Sequence, residues 1–238
     1  MTTRITDQNI VIYDNAFTED FCSSLIRKFE KNIKKAVPGI TGTGFSPRTK
    51  RSLDIPMYDF DWIFTEEIKI INDTVNHYLE EYLRRRREWK ILQPIDGSFD
   101  DPIESGTYNP FSEQTGQQVF SVNINIQKTF PNGGYDWHHD GCIDVKDGFR
   151  VLTYIIYLNS DEKGWTQFQN GDQVQPTVGR ILFFPACWTY LHRGTPPKGI
   201  KYIATNWIST SMERLHFPRV KPFQPKTQDL LVQLEDSV

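Results

Sequence analysis

The sequence predicts a mainly β protein with flanking helices, an α+β fold formed by one domain. Two observations predict it. Apolar residues recur at helical spacing in the first ninety or so residues, and beyond about Gln117 they alternate with polar residues at the period of a strand. The later strand-like runs are short and separated by Gly, Pro and Asn turns, a pattern typical of a sandwich or barrel.

The N-terminal region is predicted to begin with a short strand and a helix. The strand is the run NIVIYDN, residues 9–15. Thr18 can cap a helix that extends through Lys35 and is ended by Pro38 and Gly39. The apolar stripe of this helix consists of Phe21, Leu25 and Phe29.

A second, longer helix is predicted from about Phe60 to Glu88. Its apolar stripe consists of Ile68, Ile71, Val75, Leu79 and Tyr82. Between the helices, the stretch TGTGFSPRTKRS, residues 41–52, is rich in Gly, Thr, Ser and basic residues. Such a composition predicts an exposed, mobile loop.

The β region begins with the alternating run from Phe120 to Ile126. Three further runs have the composition of strands: RVLTYIIYLN, RILFFPA and KYIATNWI. We therefore expect a single domain with three parts. Residues 1–100 form mainly helical support and the loop, residues 101–215 form the β core, and residues 216–238 form a tail packed outside it.

Composition excludes several classes of protein. The net charge of −3, from 27 basic and 30 acidic residues, provides no overall field that would attract nucleic acid or an anionic membrane. Three cysteines without close spacing argue against a disulfide framework, and we expect them to be buried small apolar side chains. The N-terminus lacks the pattern of a signal peptide and no run has the length of a membrane span, so we expect a soluble, cytoplasmic protein.

The stretch YDWHHDG, residues 135–141, predicts a metal site. Side chains alternate along a strand, so His138 and Asp140 point the same way and His139 points oppositely. His192 is the expected third ligand. Two histidines and one carboxylate leave open coordination positions, which is diagnostic of non-haem Fe(II) oxygenases.

The two remaining histidines are not expected to be ligands. His77 lies off the apolar stripe of the second helix, and His216 lies in the C-terminal tail.

Lys201 is a second candidate for the site. It follows His192 by nine residues, on a run where Lys201, Ile203, Thr205 and Trp207 share one face. A dicarboxylic cosubstrate such as 2-oxoglutarate needs such a cation, because a buried carboxylate requires a charged partner. The alternative is an ordinary lysine at the edge of a strand.

The order of these motifs resembles a known family. The run from Gln127 to Ile208 resembles the catalytic core of Fe(II)- and 2-oxoglutarate-dependent oxygenases, and within them the prolyl 4-hydroxylase-like branch, including the hypoxia-factor prolyl hydroxylases. PNGGYDWHHD is similar to the family's glycine-rich approach to its His-x-Asp, RVLTYIIYLN to its next strand, and GWTQF to its Gly-Gly-x-Thr-x-Phe turn. VGRILFFPA, the distal His192 and KYIATNW complete the order, and TKRSLD resembles the family's Arg-Ser-containing substrate loop.

The resemblance implies a double-stranded β-helix, or jelly roll, whose sheet is buttressed by the N-terminal helices. It implies that iron is held by His138, Asp140 and His192, and that Lys201 pairs with the distal carboxylate of 2-oxoglutarate. Around the cosubstrate it implies four further residues, namely Tyr157, Thr166, Thr205 and Trp207. On the substrate side it implies Tyr135 and, in the loop, Arg51.

Three departures from the family pattern are present. Trp165 replaces the second glycine of the Gly-Gly-x-Thr turn, and Lys201 lies nine rather than the commoner ten residues after the distal histidine. The family's tyrosine upstream of the glycine turn is replaced near Thr129, so that part of the cosubstrate pocket has no assigned residue.

The implied function is an Fe(II)- and 2-oxoglutarate-dependent dioxygenase that hydroxylates a proline of a peptide or protein and releases succinate and CO2. O2 is the second cosubstrate, and L-ascorbate is a candidate auxiliary reductant. Three alternatives stay open: the same chemistry on a free amino acid or small metabolite, a zinc hydrolase that activates water, and a noncatalytic jelly-roll binding protein.

A nucleic-acid substrate is not expected. The nucleic-acid branch of the superfamily typically has arginine where this chain has Lys201. The basic cluster LRRRRE, residues 83–88, lies at the predicted C-terminus of a helix, where the helix dipole favours arginine in any case. The oligomeric state stays open.

Overall fold

The computed structural model describes residues 6–42, 44–88, 119–121, 124–144 and 148–210. The described part contains two α-helices, Glu19–Lys31 (α1) and Asp61–Glu88 (α2). Two short 3-10 helices, Ile33–Lys35 and Met57–Phe60, accompany them. The strands are β1 Val11–Tyr13, β2 Val37–Pro38, β3 Lys50–Arg51, β4 Leu53–Pro56, β5 Val119–Ser121, β6 Asn125–Thr129, β7 Gly134–His138, β8 Ile143–Asp144, β9 Gly148–Tyr157, β10 Thr166–Phe168, β11 Gln173–Val174, β12 Ile181–Pro185, β13 His192–Gly194 and β14 Lys201–Thr210.

The strands form two antiparallel sheets. The larger sheet has the order β1-β12-β9-β14-β6-β4-β2, with β5 paired to β14 and β8 paired to β9. The smaller sheet has the order β11-β10-β13-β7-β3. Strands that follow one another in the chain, such as β6 and β7, lie in different sheets, as in a jelly roll. The predicted fold class, a jelly roll with flanking helices, is therefore confirmed.

One hydrophobic core lies between the two sheets. Its larger-sheet members are Ile155 and Tyr157 on β9 and Leu182 and Phe184 on β12, and its smaller-sheet members are Phe168 and Val174. Alternate residues of β9 and β12 therefore face the interior of the roll, as period-two side-chain geometry requires. This interior also holds the candidate site.

A second core lies between the larger sheet and the helices. Leu25 and Phe29 of α1 and Ile71 of α2 pack with Tyr154 and Phe183, the outward-facing residues of β9 and β12. Apolar stripes on both helices thus find the face of the sheet that is not covered by the smaller sheet. The helices buttress one sheet, as predicted.

Helix α1 is shorter than predicted. Thr18 caps it, its hydroxyl accepting a hydrogen bond from the Phe21 N–H, but the helix ends at Lys31 rather than Lys35. The reason is Asn32, which leaves helical geometry (φ −107°, ψ 19°) and bonds the Lys28 carbonyl with its side-chain amide. A local side chain to backbone bond of this kind competes with continuation of the helix.

The predicted loop at residues 41–52 is only partly a loop. Its end forms β3, which pairs with β7 at Lys50↔Tyr135 and Arg51↔Gly134. Lys50 is buried and forms an ion pair of 2.6 Å with Asp54 on β4. The expectation of an exposed side chain is wrong for Lys50, because it pairs with a buried carboxylate four residues later, whereas Arg51 is exposed as expected.

The predictions for the cysteines are confirmed in part. All three cysteines are free, as expected, but only Cys22 is buried and Cys142 is exposed. Within the described ranges, no helix combines the length and the hydropathy that crossing a membrane requires. The predicted tail at residues 216–238 lies outside the described residues.

Candidate metal centre

The candidate ligands come together where β7 ends and β13 begins. His138 and His192 are register partners across these two strands, and Asp140 follows β7 by two residues. Asp140 Oδ1 lies 3.7 Å from His138 Nε2, and Asp140 Oδ2 lies 3.5 Å from His192 Nε2. One donor atom from each residue lies within 4.8 Å of the other two, so the three can share one ion. His139 and His77 are exposed and outside this cluster, and His216 lies outside the described residues.

Backbone contacts orient both imidazoles for metal binding. Nδ1 of His138 lies 2.7 Å from the Asp136 carbonyl, and Nδ1 of His192 lies 3.0 Å from the Tyr190 carbonyl. A carbonyl can only accept, so each Nδ1 carries the proton and each Nε2 keeps its lone pair. Hydrogen bonds from the second ring nitrogen are the usual means of fixing metal-binding histidines.

The electrostatics of the cluster favour neutral His138 and charged Asp140. Burial, followed by the neighbouring His192, lowers the pKa of His138 to about 4. Burial alone would raise the pKa of Asp140, but the two histidines and the Thr153 hydroxyl outweigh it and lower that pKa. These are the protonation states in which both side chains are metal ligands.

Two residues of the larger sheet reach the Asp140 carboxylate. The Thr153 hydroxyl on β9 donates to Oδ2 at 2.7 Å. The Trp207 indole on β14 also favours the charged form, although its buried N–H does not meet hydrogen-bonding geometry with any described residue. The carboxylate is therefore held from the opposite sheet.

Lys201 lies at the start of β14, buried at 5% exposure. Its ammonium donates to the Gly164 carbonyl at 2.8 Å, the one acceptor that the described residues supply. Burial lowers its pKa to about 8, and Asp161 opposes this shift. A buried ammonium with two unused donors fits a carboxylate ligand.

Gly194 connects the lysine with the metal end of the site. A Cβ at Gly194 would lie 3.8 Å from Lys201 Nζ and 4.0 Å from Tyr135 Cβ. Tyr135 in turn stacks on His138, with ring centroids 3.4 Å apart. The ammonium, the tyrosine and the first histidine are therefore close neighbours inside the roll.

The other predicted cosubstrate residues have different environments. The Tyr157 hydroxyl and Thr166 Oγ1 are buried and hydrogen-bonded to each other at 2.7 Å, and Thr166 lies opposite Gly194 in the sheet. The Thr205 hydroxyl donates to the Tyr154 carbonyl at 2.8 Å, so it is engaged with its own sheet. Thr129, near the missing family tyrosine, is buried on β6 as the register partner of Lys201.

Arg150 belongs to this region, although sequence reasoning did not select it. Its guanidinium lies 3.6 Å from the centre of the Trp207 ring, and its Nε is buried without a hydrogen-bond partner among the described residues. Its charge acts to lower the pKa of Tyr135, but burial has the larger effect and raises that pKa to about 12. The register between β9 and β14 shifts between Leu152 and Arg150, so the side chains of β9 do not alternate regularly there. Alternation along the strand could therefore not predict where Arg150 points.

Arg51 lies at the outer side of the site. It is exposed, and its guanidinium donates to the carbonyls of Pro47 and Asn132. A cavity of about 380 Å³ includes this residue, Arg48, Arg193 and Tyr135 in its lining. The cavity thus joins a basic surface to the tyrosine that stacks on His138.

The donor set fits Fe(II). Two neutral imidazoles and one carboxylate form the facial arrangement typical of non-haem Fe(II) oxygenases, and the same atoms suit Zn2+. Lys201 distinguishes the two, because a buried ammonium close to the ligands matches a dicarboxylate cosubstrate.

Comparison with known proteins agrees with this geometry. The family model of the 2OG-Fe(II) oxygenase superfamily matches residues 124–209. The similarity to that superfamily is thus confined to this segment of the chain. The matched segment contains His138, Asp140, His192 and Lys201, and 2OG-Fe(II) oxygenases use Fe(II), 2-oxoglutarate and O2.

One curated relative is a protein of Acanthamoeba polyphaga mimivirus named as a candidate prolyl 4-hydroxylase. It is 34% identical over 106 residues, which cover 36% of this chain and 44% of the relative. The chain thus matches less than half the length of that oxygenase relative.

Solved structures of prolyl hydroxylases share the fold. A viral collagen prolyl hydroxylase from Paramecium bursaria Chlorella virus-1 has a TM-score of 0.54 at 18% identity, over 86% of this chain and 97% of that chain. A Trichoplax adhaerens prolyl hydroxylase, in complex with a hypoxia-inducible factor peptide, has a TM-score of 0.59 at 15% identity, over 84% and 83%. At these identities the likeness establishes the jelly-roll fold alone.

Proposed function

We propose that the protein is an Fe(II)- and 2-oxoglutarate-dependent dioxygenase of prolyl 4-hydroxylase type. The observation that carries the proposal is the convergence of His138, Asp140 and His192 beside the buried Lys201. A zinc hydrolase would need the three ligands, and a noncatalytic binding protein would need none of them. Neither has a use for the buried ammonium.

Fe(II) held by these ligands would supply the oxidation: one atom of O2 becomes the hydroxyl of the product, and the other enters succinate as 2-oxoglutarate loses CO2. The residues of the chain bind and orient the metal and the cosubstrate. Lys201 neutralises the distal carboxylate of the cosubstrate, while Tyr157 and Thr166 form its buried polar surroundings. Thr153 keeps Asp140 charged.

We infer a peptide or protein proline as the substrate. Support comes from the names of the relatives, among them collagen prolyl hydroxylase and a prolyl hydroxylase bound to a peptide fragment. The cavity that joins Tyr135 to the surface offers room for an extended segment. Its three arginines favour a peptide with acidic residues near the proline. A free amino acid or small metabolite is the second candidate.

The first experiment tests the metal centre. Alanine at His138, Asp140 or His192 should abolish Fe(II)-dependent conversion of 2-oxoglutarate to succinate, because each change removes a ligand. His139→Ala is the matched control and should retain activity, since His139 is exposed and outside the cluster. Loss of activity in His139→Ala with retention in His138→Ala would contradict the assignment.

The second experiment separates the oxygenase from a zinc site. Lys201→Ala should weaken 2-oxoglutarate binding by roughly one to three decades, because the distal carboxylate is then buried without a partner. Fe(II) affinity should stay nearly intact. Lys198→Ala, a change at an exposed lysine in the preceding turn, should alter neither. The measurement is anaerobic titration followed by the visible absorption of the Fe(II)–2-oxoacid chelate.

The substrate class requires a panel of compounds. Succinate formation should be stimulated by proline peptides, and more by those with acidic than with basic neighbours of the proline. Stimulation by free amino acids or metabolites alone would favour the second candidate.

A further inference from the structure

Asp161, in the loop that joins β9 to β10, fastens two separate loops together. Oδ1 accepts hydrogen bonds from the N–H groups of Lys163 at 2.8 Å and Gly164 at 2.7 Å, within its own loop. It also accepts one at 2.9 Å from Lys198, and Oδ2 accepts one at 2.9 Å from Gly199, both in the loop before β14. Burial works against the charge of Asp161, but these four bonds lower its pKa to about 2.

The two loops meet on Lys201. Gly164 donates its N–H to Asp161, and its carbonyl accepts a hydrogen bond from the Lys201 ammonium, so one residue connects the carboxylate with the lysine. A Cβ at Gly164 would lie 2.9 Å from Lys201 Cδ and 3.0 Å from Pro197 Cβ. The first loop therefore rests directly on the lysine side chain and on the second loop.

Thr195 fastens the same loops at a second point. Its hydroxyl accepts from the Trp165 N–H at 2.8 Å and donates to the Lys163 carbonyl at 2.6 Å. Its N–H donates to the Trp165 carbonyl at 2.9 Å. The loops are thus joined on both sides of Gly164, and the position of the Gly164 carbonyl is determined by both.

We propose that Asp161 is a positioning residue for the Lys201 ammonium. By joining the two loops, it holds the Gly164 carbonyl where it receives one ammonium hydrogen and leaves the other two directed at the distal carboxylate of 2-oxoglutarate. The inference rests on the proposed function, in which Lys201 binds the cosubstrate. Asp161 itself contacts neither the cosubstrate nor the reacting atoms.

The test begins with the ligand-free protein. Asp161→Ala should increase hydrogen exchange at the amides of Lys163, Gly164, Lys198 and Gly199, because their acceptor is gone. Anaerobic titration should then show 2-oxoglutarate binding weakened by about 10- to 100-fold, the range found when supporting residues of a site are removed. Fe(II) affinity should change less than about twofold. Asp161→Asn should have a smaller effect, because its Oδ1 can still accept three of the four bonds.

Two comparisons separate positioning from general destabilisation. Glu162→Gln alters the neighbouring carboxylate, which is exposed and pairs with Lys198, and it should leave 2-oxoglutarate binding unchanged. In a Lys201→Ala background, Asp161→Ala should have no further effect on 2-oxoglutarate affinity. In turnover, the KM for 2-oxoglutarate should rise while kcat is retained.

The outcomes distinguish this inference from the proposed function. Parent-like 2-oxoglutarate binding in Asp161→Ala, or an equal loss in the Lys201→Ala background, would overturn the inference alone. A parent protein that does not bind 2-oxoglutarate would overturn both. Should Asp161→Ala not fold, the comparison with and without Lys201→Ala is made with Asp161→Asn instead. Asp161→Asn should still weaken 2-oxoglutarate binding, and parent-like affinity there overturns the inference.

Discussion

At the scale of single residues, the candidate metal centre depends on groups that are not themselves ligands. The Thr153 hydroxyl donates to Asp140, and the backbone carbonyls of Asp136 and Tyr190 orient the two imidazoles. The hydroxyl favours the charged carboxylate, and the carbonyls favour the imidazole tautomer that leaves Nε2 free to bind a cation. The ligands are therefore preorganised before any ion arrives.

Thr153→Val is expected to weaken Fe(II) binding by about 10-fold or more, since the isosteric change removes the hydrogen bond to the Asp140 carboxylate. Titration of the protein with Fe(II) under anaerobic conditions measures this. Thr205→Val is the matched control, because that buried hydroxyl donates to the Tyr154 carbonyl and not to a ligand. Equal Fe(II) affinity in Thr153→Val and the parent would show that the hydroxyl does not support the centre.

The lowered pKa of Lys201 predicts a pH dependence of 2-oxoglutarate binding. Below about pH 8 the side chain is an ammonium, and above it the side chain becomes neutral and the distal carboxylate loses its counter-charge. Affinity should therefore fall as pH rises through 8, by up to about 10-fold per unit. Asp161 stays ionised in this range, and burial raises the pKa of the nearby Tyr157, which stays neutral.

Titrations of 2-oxoglutarate at pH 7, 8 and 9 test this dependence. Lys201→Arg is the control, because a guanidinium does not titrate in this range and should give a flatter profile. A parent profile as flat as that of Lys201→Arg would contradict the role of the ammonium.

At the scale of elements, the pairing of β7 with β13 contains a β-bulge. His192 pairs with His138, but Gly194 pairs with Tyr135, so β7 has one more residue than β13 between these pairs. A bulge of this kind reverses the alternation of side chains. Tyr135 and His138 can therefore stack on each other although their positions are three apart in the chain.

The stretch at residues 41–52 combines an exposed turn and a fixed strand. Trypsin should cut after exposed Arg48 and not after Lys50, which is buried and paired with Asp54. The family resemblance implies that this stretch covers the substrate, and on that hypothesis Fe(II), 2-oxoglutarate and an accepted substrate together should slow the cut. Mass spectrometry of timed digests measures both sites.

Cleavage after exposed Lys34, in the 3-10 helix that follows α1, provides the internal control and should not respond to ligands. An unchanged rate after Arg48 with saturating substrate would argue against a covering role. Rapid cleavage after Lys50 would contradict its burial.

At the scale of the whole molecule, the larger sheet separates two cores with different tasks. The core toward the helices supports the sheet, whereas the core between the sheets surrounds the candidate site. Phe29 belongs to the first and packs edge-on against Tyr202. Phe184 belongs to the second, with its ring 4.6 Å from the His192 ring.

Phe29→Ala and Phe184→Ala are therefore expected to differ in their effect on function. Each should reduce the free energy of unfolding by about 3–5 kcal/mol, since both side chains are fully buried. Only Phe184→Ala should also weaken Fe(II) binding by the folded protein, because the His192 ring loses a packing neighbour. Chemical denaturation and Fe(II) titration measure the two quantities, and a similar loss of Fe(II) affinity in Phe29→Ala would contradict the separation.

The sequence by itself determined the main elements and the candidate ligand set. Helix α2 matches its predicted bounds to one residue, and the faces of β14 alternate as predicted, with Ile203 in one core and Ala204 in the other. Such patterns are local, because the period of apolar residues is imposed by the geometry of the element itself. The same local alternation selected His138 and Asp140, and the resemblance to a family ordered the remaining motifs.

Only the tertiary structure decided which distant groups complete the site. Arg150, Thr153 and Asp161 have no local signal, because their roles arise from the pairing of β9 with β14 and from loops that meet across the roll. Lys50 looked like a loop residue until Asp54 supplied its counter-charge. A hydrogen bond or ion pair depends on positions in space, and residues far apart in the chain acquire those positions only when the sheets form.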